Sequence, residues 1–174
     1  MTAVAPRPQT LLVPAPRPIA GRMPVHDLDA EAAVLSAAIL KPAVLERIAP
    51  IMRPRDCYSD ANQLILATLN QMHADGIAID VVTLKGVLHD HEQLGRIGGA
   101  AYLAHLVDAT PAVANVEAHA RIVARKARQR AQGAALNRAL SESYGDVSAE
   151  WAGNVARELT ELADAGERRS AIEW

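Results

Sequence analysis

The densest collection of metal-binding side chains in the chain is His89-Asp90-His91-Glu92. Two imidazoles and two carboxylates hold a divalent cation when they converge on it. On a helix, however, residues two apart point about 200° away from each other, so His89 and His91 cannot grip one ion from a single face. Gly95 follows closely and marks the stretch as a solvated helix end. The other histidines, His26, His73, His105 and His119, lie scattered. No metal site is expected. Nucleophiles are equally scarce: Ser36 sits inside an apolar helical pattern with no glycine-flanked elbow, and the single cysteine, Cys57, precedes Tyr58 in a turn and reads as buried packing. No Gly-x-x-x-x-Gly-Lys-Ser/Thr loop occurs, so the chain has no phosphate cradle. No catalytic residue and no cofactor is expected, and no ATP hydrolysis.

The elements around these residues are helical. Half of the 174 residues are hydrophobic, yet only 3% are aromatic and none is Phe. Alanine and leucine dominate, which favours helices and lets them pack closely. One cysteine permits no internal disulfide, and a reducing cytoplasm fits best. No apolar run reaches the roughly 18 residues that a membrane span requires. Residues 1–23 hold five prolines from Pro6 to Pro18, several arginines and no acid, which predicts a disordered leader, at most a basic tether or partner-binding arm. Acidic Asp27, Asp29 and Glu31 then open a first helix with a stripe of Leu28, Ala32, Leu35 and Ile39. Val44, Leu45 and Ile48 mark a short second helix between Pro42 and Pro50, and Arg53-Pro54-Arg55-Asp56 reads as a turn. Asp60 with Gln63 suggests a capping box for a third helix bearing Ile65, Leu69 and Met72, which Gly76 stops. Asp80 caps a fourth, with Leu84, Val87 and Leu88 inward; Gly98-Gly99 leads into a fifth with Leu103 and Leu106. The spacing places a globular helical subdomain over 24–113.

Pro111 introduces the longest pattern, about 114–142, with a stripe of Val116, Ala120, Val123 and Ala127; Gly145-Asp146 breaks it, and a last helix runs from about Ser148 to Ala165. The charge is partitioned. Residues 121–138 hold Arg121, Arg125, Lys126, Arg128, Arg130 and Arg138 without an acid, whereas Glu142, Asp146, Glu150, Glu158, Glu161 and Asp164 follow against Arg157 alone. Opposite charge on consecutive helices suggests an antiparallel hairpin over 114–165, with 166–174 as linker or tail. Leu136, Leu140, Val155, Leu159 and Leu162 are the candidate oligomer interface, because two narrow apolar stripes cannot cover each other fully. Arg121, Arg125, Arg128 and Arg130 are the candidate contacts to a partner or to DNA. A net charge of −2 and the lack of interleaved aromatics make DNA the secondary reading.

Taken in order, residues 24–165 resemble the N-terminal domain of the DnaB family of replicative helicases. The stretch Pro24 to Leu35 is similar to that family's opening helix, and Arg53 to Tyr58 to its turn before the third. Ile79-Asp80-Val81-Val82-Thr83-Leu84 and Ile97-Gly98-Gly99-Ala100-Ala101-Tyr102-Leu103 are the most specific stretches. Thr110 to Glu117 then leads into Ala120-Arg121-Ile122-Val123. Cys57 stands where that family usually has Phe, Asn62 where His is common, and Ser36 where Gly is usual, which points to a divergent branch. The resemblance implies an all-α fold: a small globular bundle, then a long hairpin. It further implies a collar that self-associates, commonly as a trimer of dimers, and that docks primase or a helicase loader. ATP and magnesium belong to the motor of a longer parent. Two other readings stay open: a stand-alone adaptor or inhibitor of a host helicase, and a DNA-binding helical module.

Overall fold

The computed structural model describes residues 24–108, 113–145 and 147–170, without the side chains of 165–170. The 1–23 leader, the Thr110-Pro111 step, Asp146 and residues 171–174 lie outside the described residues. Among the described residues, seven α-helices form an all-helical architecture: α1 Leu28–Leu40, α2 Val44–Ile48, α3 Asp60–Ala74, α4 Val81–Asp90, α5 Gly99–Asp108, α6 Val116–Glu142 and α7 Ala149–Ser170. Single 3-10 turns stand at Pro54–Asp56, Leu94–Ile97 and Val113–Asn115.

Helix α1 is the centre of the head. It begins where the Asp27 carboxylate accepts the Ala30 N–H at 2.9 Å, and it packs against α6, α5 and α3. Covered from several sides, it buries Ala30, Glu31 and every residue from Val34 to Ile39. The narrow stripe expected from sequence is therefore corrected: Leu35 and Ile39 are core, but Ala32 is half-buried and Leu28 is exposed. A helix apolar on nearly all faces belongs inside a bundle.

The third helix keeps its expected core face of Ile65, Leu69 and Met72, but its cap is different. Ser59, not Asp60, precedes the first turn, and its Oγ accepts the Asn62 N–H at 3.5 Å. Asp60 becomes a helical residue, and Gln63 Nε2 donates to the Cys57 carbonyl at 3.0 Å. The shorter serine reaches the exposed N–H groups from the last extended position, which leaves Gln63 for the turn. At α4 the expectation holds: Asp80 Oδ1 accepts from the Val82 and Thr83 N–H groups at 2.7 and 2.8 Å. Thr83 Oγ1 completes the box by accepting the Asp80 N–H at 3.0 Å. These bonds, Thr83's foremost, hold the Asp80 carboxyl below its ordinary range. Leu84 and Leu88 point into the core and Val87 is half-buried. Helix α4 ends at Asp90 with His91 as its C-terminal cap, and Glu92 takes a left-handed φ of 57°.

Helix α6 does two jobs. Val116, Ala120, Val123 and Ala124 close the head core, and its second half continues outward to pair with α7. Helix α7 runs to Ser170, past the Ala165 expected from sequence. A single glycine such as Gly166 costs a helix interior only about 1 kcal/mol, and Glu167, Arg168 and Arg169 are good helix formers.

Candidate partner and self-association surfaces

The hairpin is antiparallel, as three contacts show. Arg138 of α6 is paired with Glu158 of α7, and Trp151 Nε1 donates to Glu142 Oε2 at 2.9 Å near the hairpin turn. Farther along, Leu162 shares a cleft with Ala124, Ala127 and Ala131. The Arg138 guanidinium is held still more firmly protonated by its bond to Glu158. Small alanines on α6 let α7 approach, but they give its larger side chains little to bury against.

The five candidate interface residues show the consequence. Leu140, Val155, Leu159 and Leu162 are only half-buried within one chain, and Leu136 is 54% exposed. Sequence reasoning missed two neighbours at the turn, Tyr144 at 79% and Val147 at 52% exposure. Both lie beside the Gly145-Asp146 break, so they read as loop residues outside any helical stripe. Together with Leu136 they are three of the exposed large apolar side chains of the described residues, all at the hairpin end of the molecule.

The four candidate arginines separate into two settings. Arg121, Arg125 and Arg128 line one groove of about 520 Å³ whose floor is Ile51, Ala118, Ile122 and Ala124. Beside it, Arg47 of α2 reaches Glu117 at 2.7 Å, and Arg121 approaches the same carboxylate at 3.5 Å. The Arg47 hydrogen bond, above all, keeps Glu117 below the usual carboxylate range. Arg130 lies outside that groove, in the Leu162 cleft that Arg128 also lines. Its guanidinium donates to the Asp56 carbonyl at 2.6 Å and to the Val25 carbonyl at 3.1 Å, and it lies 5.6 Å over the Tyr58 ring. His26 stacks on that ring with centroids 4.3 Å apart. Arg130 thus fastens the first residues of the head and the Pro54–Asp56 turn to the hairpin helix.

Under that fastening lies a buried polar hub. Glu31 is 1% exposed and accepts the Tyr58 N–H at 2.6 Å, the Ser59 N–H at 3.4 Å and Asn62 Nδ2 at 2.8 Å. Asn62 Oδ1 in turn accepts the Tyr102 hydroxyl at 2.6 Å. Every donor that meets the carboxylate is fixed by backbone or amide geometry, which is what a buried charge requires. Burial raises the Tyr102 hydroxyl above its ordinary pKa despite the Asn62 bond. Cys57 is packed beside this hub, and burial, reinforced by the charges of Glu31 and Asp56, pushes its thiol up to about 12. It is a packed thiol, not a nucleophile.

His89, Asp90, His91 and Glu92 are all exposed, and His89 Nδ1 lies 3.5 Å from Asp90. Among the described residues no group of three or more His, Cys, Asp or Glu side chains is placed to hold a metal ion. Nor is any helix among them long and apolar enough to cross a membrane.

Comparison with known proteins places this arrangement. Residues 23–125 match the family described as "DnaB-like helicase N terminal domain". Over 105 residues the chain is 43% identical to the replicative DNA helicase DnaB of Geobacillus stearothermophilus, covering 60% of this chain and 23% of that protein. Over 150 residues it is 33% identical to the DnaB of Treponema pallidum, covering 83% of this chain and 34% of the relative. The matched part of the chain thus spans only 23% and 34% of the length of these two helicases. The crystal structure of the N-terminal domain of DnaB helicase from Mycobacterium tuberculosis superposes with a TM-score of 0.74 at 31% identity, covering 80% of this chain and 99% of that one. A solved DnaB-like replicative helicase, described with its interactions with primase, shares the fold at a TM-score of 0.64 and 18% identity, covering 78% of this chain and 31% of that one. An all-helical head continued by an antiparallel hairpin, the match over 23–125 and the superposition together mean that this chain belongs to the DnaB-like helicase N-terminal domain family.

Proposed function

We propose that the chain acts as the N-terminal collar of a replicative DNA helicase, joining copies of itself into a ring, as a trimer of dimers, and docking primase or a helicase loader. The observation that carries this reading is the under-covered hairpin. Leu136, Tyr144 and Val147 are exposed and the α7 stripe is half-covered, whereas the head has a closed core with Leu28, Leu40, Ile77 and Val82 among the apolar side chains left outside it. Large apolar side chains left exposed along one element mark a candidate association site, and a second hairpin is the cover that α-helical packing provides. Docking of primase is supported by the solved DnaB-like helicase of the same fold, which is described with its interactions with primase. ATP, magnesium and strand separation belong in this reading to the motor of a longer parent. Sedimentation of the purified chain across a range of concentrations, alone and with primase, tests the proposal. Assembly above the monomer with primase co-sedimenting is expected; a monomer at every concentration overturns the collar role.

A further inference from the structure

We propose that the groove along the first half of α6 receives an acidic amphipathic helix of a partner protein. Ile51, Ala118, Ile122 and Ala124 make its floor, and Arg121, Arg125 and Arg128 its rim. It is an open surface groove of about 520 Å³. From Ala118 to Arg128 the helix advances about 15 Å, nearly three turns, so the cations accompany the apolar line along its whole length. No carboxylate lines the groove among the described residues. The neighbouring Glu117 is engaged by Arg47 and Arg121.

A helix with apolar residues three and four apart and acids on the flanks satisfies both features at once. Its stripe covers the floor, and its carboxylates meet guanidinium groups in the forked geometry that arginine favours. A phosphate backbone leaves the apolar floor unused, and no aromatic side chain lines the groove to stack a base. Leu162 of the candidate self-association stripe reaches only the Ala124 and Arg128 end of the groove. The exposed hairpin end starts at Leu136, about 12 Å farther along the helix than Arg128, so the Ile51, Ala118, Arg121, Ile122 and Arg125 part lies clear of both. This inference deepens the docking half of the proposed function and rests on it.

The test uses the whole chain and a labelled synthetic peptide of about 16 residues, long enough for a stable turn count, with a leucine stripe flanked by glutamates. A scrambled peptide of the same composition and an oligothymidylate serve as comparisons, with fluorescence anisotropy as the readout. The amphipathic peptide is expected to bind, more weakly with added salt. Ala118→Glu and Arg125→Glu, each with unchanged helicity and sedimentation, are expected to weaken it by about tenfold or more. Failure of the peptide to bind, equal binding of the scrambled peptide, or indifference to both substitutions overturns the proposal. So does displacement of the peptide by the oligothymidylate, which makes the groove a nucleic-acid site, or loss of self-association in both variants, which makes it an interface between copies. A parent chain that stays monomeric yet binds the peptide refutes the collar reading and leaves the groove assignment standing.

Discussion

Glu31 of α1 and Asn62 of α3 meet inside the head, the carboxylate accepting the amide N–H at 2.8 Å, both residues 1% exposed. Removing the acceptor strands the Tyr58 N–H and the Asn62 amide away from water. Glu31→Ala is therefore expected to cost about 3–5 kcal/mol in urea unfolding. Asn62→Ala should cost less, and the double variant should lose less than the sum, because the two share one network. Strict additivity would show that the residues do not act together.

Arg130→Ala is expected to cost about 1–3 kcal/mol, since it forfeits two hydrogen bonds to main-chain carbonyls and the contact with Tyr58. Arg130→Lys should recover only part, because one ammonium cannot span both carbonyls. Full recovery by lysine in thermal unfolding would reduce the role of Arg130 to its charge.

Leu159→Asp combined with Leu162→Asp should yield a folded monomer. Both side chains are half-buried on α7, outside the core that closes the head. Each buried leucine contributes about 1.5–3 kcal/mol, against about 0–1 for an exposed ion pair, so apolar contact dominates assembly. Circular dichroism checks folding, and sedimentation checks mass. A double variant that sediments like the parent would place the interface on the head.

The purified chain should show no nucleotide turnover, because its sequence has no phosphate-binding loop. Phosphate release above background that disappears on substitution of a residue within the chain would refute this.

Asp80 gives a pH signature. Its carboxyl lies below its ordinary value of 3.8 in the folded state, chiefly through the Thr83 N–H. A group depressed on folding stabilises above its unfolded pKa, and that contribution fades as pH falls through the folded one. Asp80→Ala should thus lower the melting temperature at neutral pH, and the difference from the parent should shrink steadily below about pH 4. A difference independent of pH would mean that the cap works without its charge.

Periodicity and capping made most of the helices legible. Val44 to Ile48, the Ile65–Leu69–Met72 face and the Asp80 cap stand where the sequence puts them, because local spacing and local hydrogen bonds decide them. The breadth of the α1 core was not legible, since it depends on α6, α5 and α3 arriving from different directions. Glu31 read as an acid at a helix start, Asn62 as a departure from the family's usual residue and Tyr102 as one position of a family stretch. That they join in one network was not legible for a similar reason, since their bonds span 31 and 40 residues and each residue type taken singly belongs at a surface. The charge partition between α6 and α7 was visible as composition. That three arginines share a groove while Arg130 turns to the carbonyls of Val25 and Asp56 depends on rotation about α6, which no run of charges encodes.

The burial of Cys57 gives the molecule a built-in clock. With its pKa near 12 and its side chain 2% exposed, the chain's single thiol is almost never ionised or reachable while the Arg53–Tyr58 turn is closed. An alkylating reagent therefore modifies only molecules whose turn has come apart, and the labelling rate counts every opening that exposes the thiol, local or global. Followed in the parent and in Arg130→Ala, that rate measures how often the joint between head and hairpin breathes, with no cysteine having to be introduced.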